Sequence, residues 1–425
     1  MKVHIKNKAN KAVAALMLAA AFAVIFFITF TMINTNMEMD NFTGFDFSAH
    51  AAFCDEFFAG KYKAIHPGLY LFTGLVKVIS FGHWDTNTAL MLVCSLFQAF
   101  SVALTGFTFY LMANKRIIAI LVGMAVSVCT SIWMPSFSND IYLGQFSGAI
   151  WHNPTYMIMR PFSILAWLWF FYLAQKYIQN SDGRGMLSGF FGDIKDGGFR
   201  NAGSGLLRSY DKKEVLTLSL CSIFMMMTSV VKPNFLFAFI PAMGLLLLIY
   251  AKRFDWKSWL KLMLVLFFAG LFICAQFILS EDPTNTLSAT FFNVWKLYST
   301  NITVSLLLAL AFPMAYTLFF WYDDKLKDNL RLVGAWLFWI ISFFEAAFIA
   351  ESGSRYGHMN FVWGYNLALY FLLFECALSM LKNIRSKTSS KKKMAAAALC
   401  ILLFAAHLIS GVIYLYRMHD GGTYA

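Results

Sequence analysis

The sequence predicts an all-α polytopic membrane protein with about eleven transmembrane helices and interfacial helices in its first outer loop. Three observations carry that prediction. Of 425 residues, 59% are hydrophobic and only 13% are charged, where soluble domains average about 45–50% and about 25%. Eleven apolar stretches approach the ~20 residues that a helix needs to cross the hydrocarbon core. Finally, 26 of the 34 Lys and Arg fall in alternate connections, leaving 8 for the others, as the positive-inside rule requires. Collagen-like, disulfide-rich and disordered classes fail on 26 Gly, 7 Cys and the low charge.

The first span, 12–34, follows Lys2, Lys6, Lys8 and Lys11, as in a signal peptide. No small-x-small cleavage site follows its apolar run, so it reads as an uncleaved anchor with the N-terminus inside. Segment 35–87 is then the first outer loop. Within it, 67–82 (PGLYLFTGLVKVISFG) is short, opens with Pro67 and contains Lys77. If it crossed, every later loop would change sides and the basic loops would face outward, so it is read as re-entrant or interfacial.

The next spans are 88–113, 117–135 and 160–178. The Gly-, Ser- and charge-rich stretch 179–213 reads as a flexible cytoplasmic connector, because no strand precedes it and no GxxxxGK occurs. It divides the chain into an N-terminal module, 1–178, and a C-terminal membrane module, 214–425. That second module holds spans at 215–231, 235–251, 259–280, 302–321, 332–350, 360–381 and 394–416, which places the C-terminus outside. Six of the seven cysteines lie in apolar stretches and none forms a CxxC pair, so they read as small buried hydrophobes. The net charge of +12 follows the inner loops. No basic stripe with interleaved aromatics accompanies it, so nucleic acid is not an expected partner.

The polar residues too specific for a solvated loop fall on the outer side. The first outer loop reads MEMDNFTGFDFSAHAAFCDEFF; Asp46 and His50 are four apart and share a face of an expected interfacial helix, although Asp46 could equally cap that helix. The second, PSFSNDIYLGQFSGAIWHNPTYMIMRP, holds Asp140, His152 and Arg160, with Trp151 and Tyr156 readable as interfacial aromatics. In VVKPNF, Lys232 sits at a turn beside Pro233, placed either to snorkel or to hold an anion. In ESGSRYGHMN, Glu351, Arg355 and His358 crowd eight residues; Arg355 suits phosphate or carboxylate, and a Glu351–Arg355 pair is the alternative. Glu345 and Glu375 lie inside spans and should face the bundle interior. Asp323 and Asp324 look like a metal-binding pair, but sidedness puts them inside among lysines. Acids that serve as general base or metal ligand, together with cations that hold phosphate, point to group transfer from a lipid-phosphate carrier.

Asp46 followed by the Pro-containing aromatic stretch HPGLYLF, Asp140 in FSNDIYLG, and the KPNF turn together resemble the polytopic GT-C glycosyltransferases over roughly residues 10–240. In that family the first outer loop carries an essential acid, and a YPPLY-like segment follows along the outer interface. The resemblance implies a GT-C-like fold, a polyprenyl-phosphate sugar as donor, and inverting transfer to a glycan, lipid or protein acceptor on the extracytoplasmic face. It implies Asp46 as general base, with Asp40 as the competing choice. Lys232 and Arg355 would hold the donor phosphate, and His50, Asp140, His152, Glu351 and His358 would shape the site. Gly68 replaces the family's usual second Pro, and neither a DxD nor a WWDYG-like motif occurs. A divalent metal is compatible with these acids but not required by them. Lys-rich loops and the lack of sorting motifs fit a bacterial plasma membrane. Two other classes remain: a lipid-linked glycan polymerase or ligase, which usually needs more outer Arg, and a transporter or flippase, kept open by Glu345 and Glu375.

Overall fold

Long runs of Leu, Phe, Ala and Met leave the backbone no water to bond to, and an α-helix satisfies its polar groups internally. The computed structural model accordingly is helical almost throughout. It describes residues 2–38, 46–114, 116–137, 151–181, 183–193, 195, 212–279, 286–321, 328–352, 356, 360–382 and 389–419, and the backbone alone for 2–9. In chain order the helices are α1 Lys2–Glu38, α2 Phe47–Phe58, α3 Gly68–Ile79, α4 Thr86–Met112, α5 Ile117–Val128, α6 Pro154–Asn180 and α7 Lys212–Val231. They continue as α8 Asn234–Ile249, α9 Trp256–Ile278, α10 Ile302–Phe320, α11 Leu330–Phe348, α12 Asn360–Lys382 and α13 Lys391–His419. Among the described residues, nine helices are long and apolar enough to cross a membrane. The protein is an all-α polytopic membrane protein.

The starts of the helices are written into the sequence as Asp and Asn. The side chains of Asp85, Asn153, Asp255, Asn301 and Asn329 each accept a backbone N–H of the following first turn, from Thr88, Tyr156, Ser258, Val304 and Leu332. Each satisfies one of the orphan donors that every helix start leaves.

Two expected spans are shorter than a full crossing, α5 at 12 residues and α8 at 16. The expected helix over 117–135 is therefore corrected: it stops at Val128 and the chain continues irregularly. Twelve helical residues rise only about 18 Å. Six more in open conformation can add up to about 20 Å, enough for the remaining depth. The irregular stretch is tolerated because protein, not lipid, takes its polar groups. Thr130 N–H donates to the His407 carbonyl, Ile132 N–H to the Leu308 carbonyl, and Trp133 N–H to Ser410 Oγ at 2.9 Å. Arg160 Nη2 donates to the Ser127 carbonyl at 2.8 Å, and His407 Nδ1 donates to the Thr130 carbonyl at 2.7 Å. Gly411 of α13 lets this happen: a Cβ there would collide with the Val128 carbonyl.

Helix α3 covers most of 67–82. Its 12 residues are too few to cross, about 18 Å against about 30 Å. Leu71, Leu75, Val78 and Ile79 form an exposed apolar stripe along it. Lys77 Nζ bonds Thr86 Oγ1 at 2.7 Å and lies 3.5 Å from Asp55, and Thr86 donates to Asp55. That cluster fastens the end of α3 to α2 and to the start of α4.

The ends that charge counting assigned to one side lie together. At one end Asp46 meets Asn153, His66 meets the Ser229 carbonyl, Thr300 donates to Phe137, and Asn36 donates to the Met418 carbonyl. At the other end Arg116 donates to Leu381, Arg253 pairs with Asp328, and Trp256 donates to Asp193. At the first of these ends, β1 Leu287–Ala289 pairs antiparallel with β2 Ile349–Glu351, Leu287 opposite Glu351. No strand was expected there; three residues are too few to give a periodic signal.

Helix α12 runs down the middle, buried on nearly every side. It packs against α5, α8, α10 and α11. Its Glu375 does face the interior, where Arg331 holds it with Nη2–Oε1 2.6 Å and Nε–Oε2 3.1 Å and Trp167 donates at 2.9 Å. Glu345 of α11 is half-buried. A second buried pair, Lys261 to Glu214 at 2.8 Å with Tyr177 donating to the same carboxylate, joins α9, α7 and α6. Six cysteines are buried as expected; Cys274 on α9 is exposed instead. Of the connection 179–213, expected to be flexible, residues 182, 194 and 196–211 lie outside the described residues, while 186–193 are helical.

Candidate functional site

The site is assembled from the loop ends gathered at one pole of the bundle. It begins with the start of α6. Pro154 has no N–H to contribute, so Asn153 caps the helix through Oδ1, which accepts Tyr156 N–H at 3.0 Å and the Thr155 hydroxyl. This turns the Asn153 amide nitrogen outward, where it donates to Asp46 Oδ2 at 2.6 Å.

Asp46 stands immediately before α2, the position of a cap, yet its side chain makes no capping bond. The capping alternative is therefore not realised, and the carboxylate points instead at the start of α6. One helical turn on, His50 Nδ1 lies 3.3 Å from the Tyr70 hydroxyl of α3. Burial pushes His50 down to about 4, with Asp46 pulling upward and Lys232 adding to the fall. His152 is also buried and pushed down to about 4 by the same three influences, in the same order. Both imidazoles are neutral at pH 7.

Lys232 is the second anchor. Helix α7 ends at Val231, Pro233 prevents its continuation, and Lys232 occupies the turn into α8. The turn is gripped from both flanks by glycines. A Cβ on Gly68 of α3 would lie 2.7 Å from Val231 Cγ2 and 2.9 Å from the Val230 carbonyl oxygen. One on Gly364 of α12 would lie 2.8 Å from the Asn234 carbonyl oxygen. Gly68 therefore stands where a second Pro could not fit. His66 adds a bond to the Ser229 carbonyl at 2.9 Å.

The Lys232 side chain does not snorkel to water: the residue is 9% exposed, and Nζ lies 5.2 Å from the centre of the Trp363 ring. The same indole stacks on His152 at 6.2 Å and 13° and meets Tyr156 at 5.5 Å. Burial lowers Lys232 to about 8, opposed by the charges of Asp46 and Glu351. Glu351, closing β2, accepts a bond from Asn360 Nδ2. One buried cation thus stands within the electrostatic influence of two carboxylates and two neutral imidazoles.

Asp46, His50, His152, Lys232 and Glu351, taken from four separate segments of the chain, are brought together. Asp40, Asp140, Arg355 and His358 lie outside the described residues, as do Asp323 and Asp324. Arg160, Trp151 and Tyr156 are fully buried within the protein. Among the described residues, no three His, Cys, Asp or Glu side chains lie close enough to hold a metal ion. Sequence reasoning missed Asn153, Tyr70, Trp363 and Asn360. For Asn153 the signal was present: Asn followed by Pro is how a helix start is written. The other three carry no local mark.

No protein-family model matches the sequence, and no curated protein matches it. Among solved structures, the chain is similar to an archaeal oligosaccharyltransferase, AglB from Archaeoglobus fulgidus, solved in complex with an inhibitory peptide and a dolichol-phosphate. The TM-score is 0.43 at 10% identity, covering 95% of this chain and 52% of that one. The chain thus spans about half the length of that neighbour.

Proposed function

We propose that the protein is a GT-C-type membrane glycosyltransferase that moves a sugar from a polyprenyl-phosphate donor to an acceptor hydroxyl on the extracytoplasmic face. The observation that carries this reading is the pairing of an oriented carboxylate, Asp46, with a buried ammonium, Lys232, across neutral imidazoles. A carboxylate without a cap to make can take the acceptor proton. A cation kept from water gains most from the charge that gathers on the leaving phosphate.

In the reaction, the acceptor oxygen attacks the sugar's anomeric carbon while its proton passes to Asp46. The bond from that carbon to the phosphate oxygen breaks, and its electron pair leaves on the polyprenyl phosphate beside Lys232. Attack opposite the leaving group inverts the anomeric centre. His50, His152 and Glu351 line this region, and Asp40, Asp140, Arg355 and His358 are proposed to complete it. Asp40 is the alternative base. A divalent metal is compatible with the acids of this region but not required by them. Residues 1–178 are proposed as a GT-C-like N-terminal module and 214–425 as a C-terminal membrane module, both contributing residues to the site. A bacterial plasma membrane with the N-terminus in the cytoplasm is the proposed setting.

The test uses purified protein in detergent and a panel of radiolabelled polyprenyl-phosphate sugars, with and without chelator. Wild type should consume one donor, and Asp46→Ala should lose at least about 100-fold in rate while remaining folded. Full transfer by a well-folded Asp46→Ala protein refutes the base assignment. Failure to consume any donor moves the reading to a polymerase, ligase or flippase.

A further inference from the structure

The amide of Asn153 can face only one way. Its Oδ1 is an acceptor, and two donors of the α6 start, Tyr156 N–H and the Thr155 hydroxyl, both point at it. Rotating the amide would set its NH2 against those donors and its oxygen against the Asp46 carboxylate. The cap therefore dictates that Nδ2 faces Asp46, where the bond is 2.6 Å. Asn153 is itself buried, 4% exposed, and Pro154 behind it fixes the first helical backbone angle. Its donor is consequently a rigid one, carried on the frame of a 27-residue helix.

A carboxylate at a helix start is free to rotate about its last bond. A charge-assisted bond to one oxygen stops that rotation and presents the other in a single direction. We propose that Asn153 is a positioning residue that holds Asp46 through Oδ2 and leaves Oδ1 aimed at the acceptor hydroxyl. The inference rests on the reading of Asp46 as general base. It adds a specific division of labour within one residue: the cap builds α6, and the other end of the same amide orders the base.

Ser and Asp cap helices about as well as Asn, so structure and positioning can be separated. Asn153→Ser keeps an oxygen for the cap and is too short to reach Asp46. Asn153→Asp keeps the cap and puts a second carboxylate where the donor was. Asn153→Ser should unfold at the wild-type temperature, whereas Asn153→Asp should unfold lower, because it sets two carboxylates against each other. Asn153→Ser should lower kcat by about 100-fold, the cost of a misplaced reacting group, with KM for the donor little changed. Asn153→Asp should be slower still. In an Asp46→Asn background, Asn153→Ser should cost nothing further, because the group it positions is gone.

If Asn153→Ser loses less than about threefold in kcat while Asp46→Asn is dead, the positioning role is wrong and the base assignment survives. Losses that add independently in the double variant also overturn it, since they mark a separate structural role. Full activity in Asp46→Asn, or no transfer by wild type, removes the base and its positioner together.

Discussion

Lys232 is an ammonium kept from water, and its burial sets two opposite pH responses. In the folded protein it titrates at about 8, where the ordinary value is 10.5. Below 8 it carries its charge and can hold an anion; above 8 it loses both. Binding of a short-chain prenyl phosphate, followed by calorimetry, should therefore weaken as pH rises through 8, and Lys232→Arg should carry binding to higher pH. Stability runs the other way. Between 8 and 10.5 the unfolded chain holds the proton more tightly, so raising pH through that window favours the fold. His50 and His152, at about 4 folded and 6.5 unfolded, lose stability as pH falls from 6.5 towards 4. Residue type made Asp46, His50 and Lys232 legible in the sequence, because charged groups beside apolar spans are costly without a purpose. Trp363 was not legible. An indole in a membrane helix has many ordinary uses, and only its contacts with both Lys232 and His152 distinguish this one.

Helix positions were legible from hydropathy, because an apolar stretch of sufficient length in lipid has few alternatives. The end of α5 was not. Apolar composition continues past Val128, and hydropathy reports burial, not helicity. What permits the break is Gly411 and His407 on α13, hundreds of positions away, so no local window contains the cause. The same logic governs the Lys232 turn. Gly364→Ala would push a methyl to 2.8 Å from the Asn234 carbonyl, a backbone atom that cannot swing aside. The expected loss is about 1–3 kcal/mol of stability, with weaker prenyl-phosphate binding as the turn shifts. Gly244→Ala is the control: it lies in α8 with nothing within 4 Å of the added carbon. There the unfolding temperature should hold or rise slightly. Thermal unfolding of both variants in detergent decides the point, and equal effects would refute the clamp.

At the scale of the whole molecule, charge counting and three-dimensional assembly give the same partition of loop ends into two poles. The pole with the excess of basic residues is proposed to face the cytoplasm. Single cysteines at Lys63 and Lys252, both exposed and at opposite poles, test it. In intact cells a membrane-impermeant maleimide should label Lys63→Cys and reach Lys252→Cys only after permeabilisation. The reverse pattern would invert the topology and take the proposed reaction to the other face. The buried pair Arg331–Glu375 was legible only as one lone acid in a span; its partner sits at the start of another helix.

That pair lies on α12, and the placement of α12 bears on how the protein is made. The helices packed around it, α5, α8, α10 and α11, all precede it in the chain. They must therefore enter the membrane around an axis not yet synthesised. Until residue 375 emerges, Arg331 has no carboxylate to meet, and a slot the width of one helix stays open to lipid or to an insertion factor. The late arrival of a mostly apolar helix with one matching acid then fills that slot, and α13 follows to pack on α1, α5 and α10. A nascent chain stalled before residue 360 is thus an assembly intermediate with an unmatched arginine, a mark by which membrane quality control could recognise it.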